Sequence, residues 1–266
     1  SGKLARWNQH LESELKLAIS KAHLAALGFT REGLKVTTQL ESNFQGTDIK
    51  QITGNAKFNS TTLITNERRY VFDSIALKLI KEQDYRLVFI APFAHAKFQG
   101  ETHPALLANQ FIRFTRKTLF SSAADSTQSF PDEYFSLNIE VQPHPLISTF
   151  IFPKLNSFGG LQLEAKQEEN TSAIAASGKL WGIKGAETEL DTAGFGLSID
   201  TTQKALALYI RNFNSGELSV PYLQGSLRQN GDNGEAKFLI KDKKAKEKYH
   251  VRADLAYTNR HWEAQI

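Results

Sequence analysis

Hydrophobicity alternates with a period of two over long stretches of this chain, and that pattern constrains the fold more than any other feature. Leu34, Val36, Thr38, Leu40, Ser42 and Phe44 share one parity, while Lys35, Thr37, Gln39, Glu41 and Asn43 share the other. Successive side chains of an extended strand point to opposite faces, so such a run dries one face and wets the other. The alternation returns in Leu15, Leu17 and Ile19, in Ala56 and Phe58, in Ile75, Leu77 and Leu79, and in Tyr85, Leu87 and Phe89. In the second half it runs through Phe135 to Val141, Leu161 to Ala165, Phe195 to Ile199, Leu206 to Ile210, Ala236 to Ile240 and Tyr249 to Tyr257. Polar turn signals separate these runs at 81–84, 168–170, 200–203 and 230–234, the last holding an Asn-Gly pair suited to positive φ. The expected fold class is mainly β with antiparallel strands.

Two segments break the period. Leu107, Phe111 and Phe114, with Ala108, Ile112 and Leu119, recur at helical spacing. Pro104 suits a first turn, and Arg113, Arg116 and Lys117 complement the dipole at the far end. This predicts an amphipathic helix over 104–119. A shorter helix is expected over 145–152, carrying Leu146, Ile147 and Phe150 and stopped by Pro153. The polar run 121–129 reads as an exposed loop. The chain is therefore expected to be one elongated β domain over 1–266. Loose sub-units 1–120 and 130–266 each combine wet–dry strands with a helical insertion.

Composition narrows the chemistry. There are no Cys residues, which excludes thiol catalysis, Cys-ligated zinc and iron–sulfur clusters. Basic residues number 32 against 28 acidic ones, for a net charge of +4. The densest basic run, 241–248, is broken by acids and reads as a solvated hairpin tip, so no nucleic-acid partner is expected. His10, His23, His95, His103, His144, His250 and His261 lack metal-ligand spacing; they read as exposed or half-buried spacers, with His144-Pro145 as turn chemistry. No nucleophile elbow or phosphate loop occurs, and the glycines of 178–185 read as bulges or tight bends. Glu12, Glu14, Glu187 and Glu189 fall on wet faces as solvated acids, and Asp191 and Asp200 read as turn residues. Trp7, Trp181 and Trp262 are too dispersed to form a readable carbohydrate platform. No catalytic residue, metal or cofactor is expected, and the chain is not read as an enzyme. With no Met and a Ser1-Gly2 start, it is expected to be an interior segment of something longer.

The order of motifs resembles the TamB branch of the AsmA-like envelope proteins, especially versions from Bacteroidetes-type bacteria. The residues that carry the resemblance begin with 40–54 (LESNFQGTDIKQITG) and 70–77 (YVFDSIAL). They continue with 85–100 (YRLVFIAPFAHAKFQG), which leads into the segment from Pro104, and with 135–143 (FSLNIEVQP), which runs into 146–155. The family's inner-membrane anchor and its C-terminal domain are not recognisable here. The resemblance implies an elongated curved sheet folded into an apolar trough, a β-taco, which conducts phospholipid between the inner and outer membranes. It also implies a periplasmic location, tethered to the inner membrane by a part not present here. A TamA-type outer-membrane barrel would be engaged through regions outside the segment.

The residues expected to line such a groove lie on the dry parities. In the first half they are Val36, Leu40, Phe44, Phe58, Ile75, Leu77, Leu79, Leu87 and Phe89. In the second they are Leu137, Ile139, Leu163, Leu197, Ile199, Leu206, Leu208, Ile210, Phe238 and Ile240. Their expected partners are phospholipid acyl chains. Burying a chain of about sixteen carbons saves on the order of 10 kcal/mol, so a conduit needs a nearly continuous apolar wall. Two other readings stay open on the residues alone. One is an envelope scaffold with a filled interior that assists outer-membrane protein assembly through partner binding. The other is a degradative β-enzyme whose carboxylates are not picked out.

Overall fold

The computed structural model describes residues 2–7, 10–23, 34–47, 51–65, 68–107, 133–148, 152, 155–169, 171, 173–200, 202–258 and 261–265. Two compact units, Ser1–Leu106 and Leu107–Ile266, divide the chain. The boundary falls within the segment expected to be helical. Of that segment, 104–107 forms a helical turn; 108–119 and the expected loop 121–129 lie outside the described residues.

The first unit is an antiparallel meander. Its strands are β1 (Gly2–Trp7), β2 (His10–His23), β3 (Lys35–Gly46), β4 (Thr53–Ile64), β5 (Arg69–Lys81), β6 (Tyr85–Ala91) and β7 (Ala94–Gly100), each paired with the next. The second unit opens with β8 (Phe135–Val141), a short β9 (Leu155–Ser157) and β10 (Gly160–Gln167). It continues with β11 (Ile174–Gly185), β12 (Thr188–Ile199), β13 (Gln203–Ser215), β14 (Leu218–Asn230), β15 (Asn233–Lys241), β16 (Glu247–Thr258) and β17 (His261–Gln265). From β10 onward each strand pairs antiparallel with the next, while β8 pairs with β10 and β9 with the end of β11. Neither sheet closes on itself: no pairing joins β1 to β7 or β8 to β17 among the described residues.

Turn chemistry sets the register. Asn230 pairs with Asn233 across Gly231 and Asp232, and Gly231 takes φ 61°, as the Asn-Gly signal requires. The β12–β13 connection is held by Asp200, whose Oδ1 accepts from the amides of Gln203 (2.6 Å) and Thr202 (2.7 Å). Those donors, Gln203 first, hold its carboxyl below the usual aspartate value of 3.8. A depressed folded pKa stabilises above the unfolded value and loses that contribution as pH falls through the folded one. Protection of the Thr202 and Gln203 amides, taken relative to intrinsic exchange at each pH, is therefore expected to fall below about pH 3.8, and Asp200→Asn is expected to remove that pH dependence. Asp191, by contrast, is not a turn residue: it sits inside β12 and accepts a hydrogen bond from Asn212 Nδ2 of β13.

The alternation slips by one residue at matching places in adjacent strands. In the first unit Lys21 (φ 54°) and Ser60 (φ 50°) adopt left-handed backbone conformations, and register shifts separate Ile19 from Ala22 and Thr37 from Gln39. Thr61 Oγ1 meets Thr38 Oγ1 at 2.8 Å, so Thr61 shares the face of Thr38 although Phe58 does too. In the second unit Gly182 (φ 64°), Asp191, Asn212 (φ 48°) and Pro221 are the positions skipped between flanking pairs on β11 to β14. Bulge-like irregularities bend a strand and raise its twist. They fall in line across neighbouring strands, over β2 to β4 in the first unit and β11 to β14 in the second, where a crease would form.

Both helical turns begin at a His-Pro pair. His103 Nδ1 accepts the amide of Ala105, and its carbonyl accepts that of Leu106. His144 repeats the arrangement with the amides of Leu146 and Ile147. Burial lowers the His144 pKa, favouring the neutral ring that can accept. His103 is no exposed spacer: it is 5% exposed and packs edge-on to Tyr85, ring centroids 5.0 Å apart. Of the second expected helix, 145–148 is helical and 149–151 lies outside the described residues; the amide of Phe152 reaches back to the carbonyl of Ile147.

Candidate functional site

Directly opposed residues of an antiparallel pair share a face, so the register maps each face without reference to any ligand. In the first unit, Leu17, Leu40, Phe58 and Ile75 form one cross-strand row. Phe44, Gly54, Leu79, Leu87 and Phe98 form another on the same face, with Leu77, Phe89 and Ala96 between them. Val36 joins them by parity on β3 and pairs with Leu63. The opposite face carries Lys35, Gln39, Glu41, Asn43, Asn55, Lys57 and Lys78. All first-half groove candidates thus fall on one apolar face.

The second unit repeats the division. Ile139 opposes Leu163, which opposes Gly178, and the row continues through Phe195, Leu208, Gly225, Phe238 and Val251. Leu137, Leu197 and Leu206 lie together in the adjacent row, joined through Ala165 and Ala176. Ile210 pairs with Leu223 and Leu223 with Ile240, while Ile199 occupies the row of Ile174 and Lys204. The second-half candidates also share one face. The register adds Leu180, Leu223, Leu227, Tyr249 and Val251, which strand-by-strand reading did not place in the groove. Their signal was present: on β14 the apolar positions Leu218 and Val220 resume at Leu223 and Leu227 after the slip at Pro221.

Relief on this face comes from glycine beneath large side chains. A Cβ at Gly178 would stand 2.3 Å from Phe195 Cε1, and one at Gly225 would stand 3.1 Å from Leu208, so both side chains lean onto bare backbone. Leu206, Leu208, Leu227, Ala236, Phe238 and Val251 contribute to a depression of about 260 Å³. Burial grades along the sheet. Ile174 and Ile199 are 1% and 2% exposed, whereas Leu208, Phe238 and Val251 are 37%, 39% and 41% exposed. Leu17 of the first unit is 41% exposed, while Phe72, Leu79 and Phe98 are buried.

Polar groups on the second apolar face collect at its rim, where Gln167, Lys204 and Gln229 lie on the row of Ile174 and Ile199. Gln167 and Gln229 donate to the carbonyls of Thr171 and Gly231 in the adjoining turns, and burial lowers the Lys204 pKa. The acids weighed as catalytic candidates do not converge. Glu189 is engaged by Lys184 at 2.8 Å, and Glu12, Glu14 and Glu187 are exposed. Among the described residues no group of three or more His, Asp or Glu could hold a metal, and no helix is long and apolar enough to cross a membrane. What the arrangement offers is an extended apolar surface, partly open, backed by a polar face. Comparison with protein-family models, curated proteins and solved structures finds no match to this chain.

Proposed function

We propose that the apolar faces form a lipid-conducting groove, and that the chain is a segment of a bacterial envelope protein carrying phospholipid between inner and outer membranes. One observation carries this reading: large hydrophobic side chains stay well exposed on a face that is apolar in β8 and from β10 through β16. Leu208, Phe238 and Val251 form a contiguous example. Monomeric proteins rarely leave such contiguous surface uncovered without a binding role. The aligned creases fit the same reading. A bend at one position in several adjacent strands folds a sheet lengthwise, and two arms closing over the apolar face would make a trough.

In this reading acyl chains lie against the apolar rows, the polar parity faces periplasmic water, and the chain performs no covalent chemistry. Tethering to the inner membrane and engagement of a TamA-type barrel would belong to regions outside this segment. A photoreactive phenylalanine analogue tests the assignment. Placed at Leu208 in the full-length protein in cells, it is expected to capture phospholipid, detected by mass spectrometry. At the neighbouring Ala207, on the polar parity, it is expected to capture none. Equal capture at both positions, or none at Leu208, would overturn the groove.

The packed rows around Ile174 and Ile199 favour a second reading for that end of the sheet, a filled scaffold that positions partner proteins and assists outer-membrane protein assembly. Phospholipid in organic extracts of the purified chain separates the two, because a filled interior leaves no room for acyl chains.

A further inference from the structure

The polar face of the second unit carries a groove that lipid conduction does not use. Its volume is about 500 Å³, and its lining includes Lys179, Thr192, Tyr209, Arg211, Tyr222 and Gln224. Cross-strand pairing assembles it. Lys179, Gly194, Tyr209 and Gln224 form one row, and Trp181, Thr192, Arg211, Tyr222 and Lys241 form the next. Residues as far apart in the chain as Lys179 and Gln224 therefore line one surface.

Charge on this surface is one-sided. Lys179 and Arg211 form no ion pair among the described residues and no acid lines the groove, whereas Lys241, outside the lining, stands opposite Glu247. Glu189 pairs with Lys184, Asp191 accepts from Asn212, and Glu235 holds both Lys237 and Arg252. Two cations in the lining of a concave site, Lys179 and Arg211, with no acid beside them there, favour an anion. The aromatic rings specify more. Lys179 Nζ lies 5.5 Å from the Trp181 ring centroid and Lys241 Nζ lies 5.7 Å from that of Tyr222, so both rings already carry a cation. The Tyr209 ring lies over Gly194, where a Cβ would stand 2.6 Å from its Cε1. Its outer side faces the groove without a ring or cation partner among the described residues.

We infer that this groove binds an anionic saccharide. One sugar ring stacks on Tyr209, its hydroxyls meet Thr192 and Gln224, and its carboxylate or phosphate is held by Arg211 and Lys179. A single open ring suits one sugar. A nucleic-acid strand would need several stacking faces in succession. Its polar lining residues lie on the parity opposite the lipid groove, while Phe195 and Leu208 of the apolar row also border it.

Calorimetry on the whole chain tests it, with trigalacturonate and glucose 6-phosphate as anionic probes, maltotriose as the neutral control and a single-stranded thymidine oligomer as the competing class. Both anionic sugars are expected to bind and to weaken with added salt, and maltotriose is expected not to bind. Lys179→Ala and Arg211→Ala, both at exposed positions, are each expected to weaken binding about tenfold through loss of a charge-assisted hydrogen bond. Tyr209→Ser is expected to remove the preference for glucose 6-phosphate over inorganic phosphate; if that variant does not fold, the two cation variants decide. The proposal is overturned if neither anionic sugar binds, if maltotriose binds equally, if the oligomer binds more tightly, or if the cation variants bind as well as the native chain.

Discussion

Leu208→Arg is expected to leave the second sheet folded and to reduce lipid passage about a hundredfold, because an arginine against acyl chains costs about 2.5 to 3.5 kcal/mol. Leu208 lies in mid-strand on the apolar row between Phe195 and Gly225 and is 37% exposed. A long side chain there can carry its guanidinium outward into water when no lipid is present, which spares the fold. When lipid is present, the same charge interrupts the apolar wall. Thermal unfolding of the purified chain measures the first effect, and lipid transfer by the full-length protein measures the second. A folded variant with unchanged transfer would remove Leu208 from the path. An unfolded variant would show that this part of the face is packed core.

Ile199→Asp is expected to do the reverse, lowering stability by about 4 kcal/mol or more through lost apolar burial and a desolvated carboxylate. Ile199 sits on the same apolar face, yet it is only 2% exposed, and its partner Ile174 is 1% exposed. No open side lets the charge escape. A loss of that size approaches the whole stability of a marginal domain. Denaturant unfolding of the second unit within the whole chain measures it, and a shift below about 1 kcal/mol would mean that this end of the sheet opens readily. One sheet face thus yields opposite outcomes at two positions, and the difference lies in cover.

Much of the architecture was legible in the sequence because strand periodicity is local. The runs at Ile75 to Leu79 and Leu206 to Ile210 lie within the strands expected of them, the run at Leu34 to Phe44 starts one residue ahead of β3, and the Asn-Gly turn sits where its dihedral demand put it. Strands β11 and β14 were harder to read. Their alternation changes phase at Gly182 and Pro221, so a fixed parity stops matching halfway along each strand. The creases themselves could not be read from one strand, because a slip becomes a crease only when neighbouring strands slip at paired positions.

The same distinction governs the sites. The sequence by itself determined that every long strand has a dry side and a wet side, since side chains two residues apart must point the same way. That was enough to place the groove candidates on one apolar face within each unit. Only the tertiary structure decided which of those residues are covered: Ile199 and Leu208 are equally apolar and share a parity within their strands, but they differ in what lies above them. Only register brought Lys179, Tyr209 and Tyr222 around one groove, because hydrogen bonding between strands, not spacing along the chain, sets which side chains meet across a sheet.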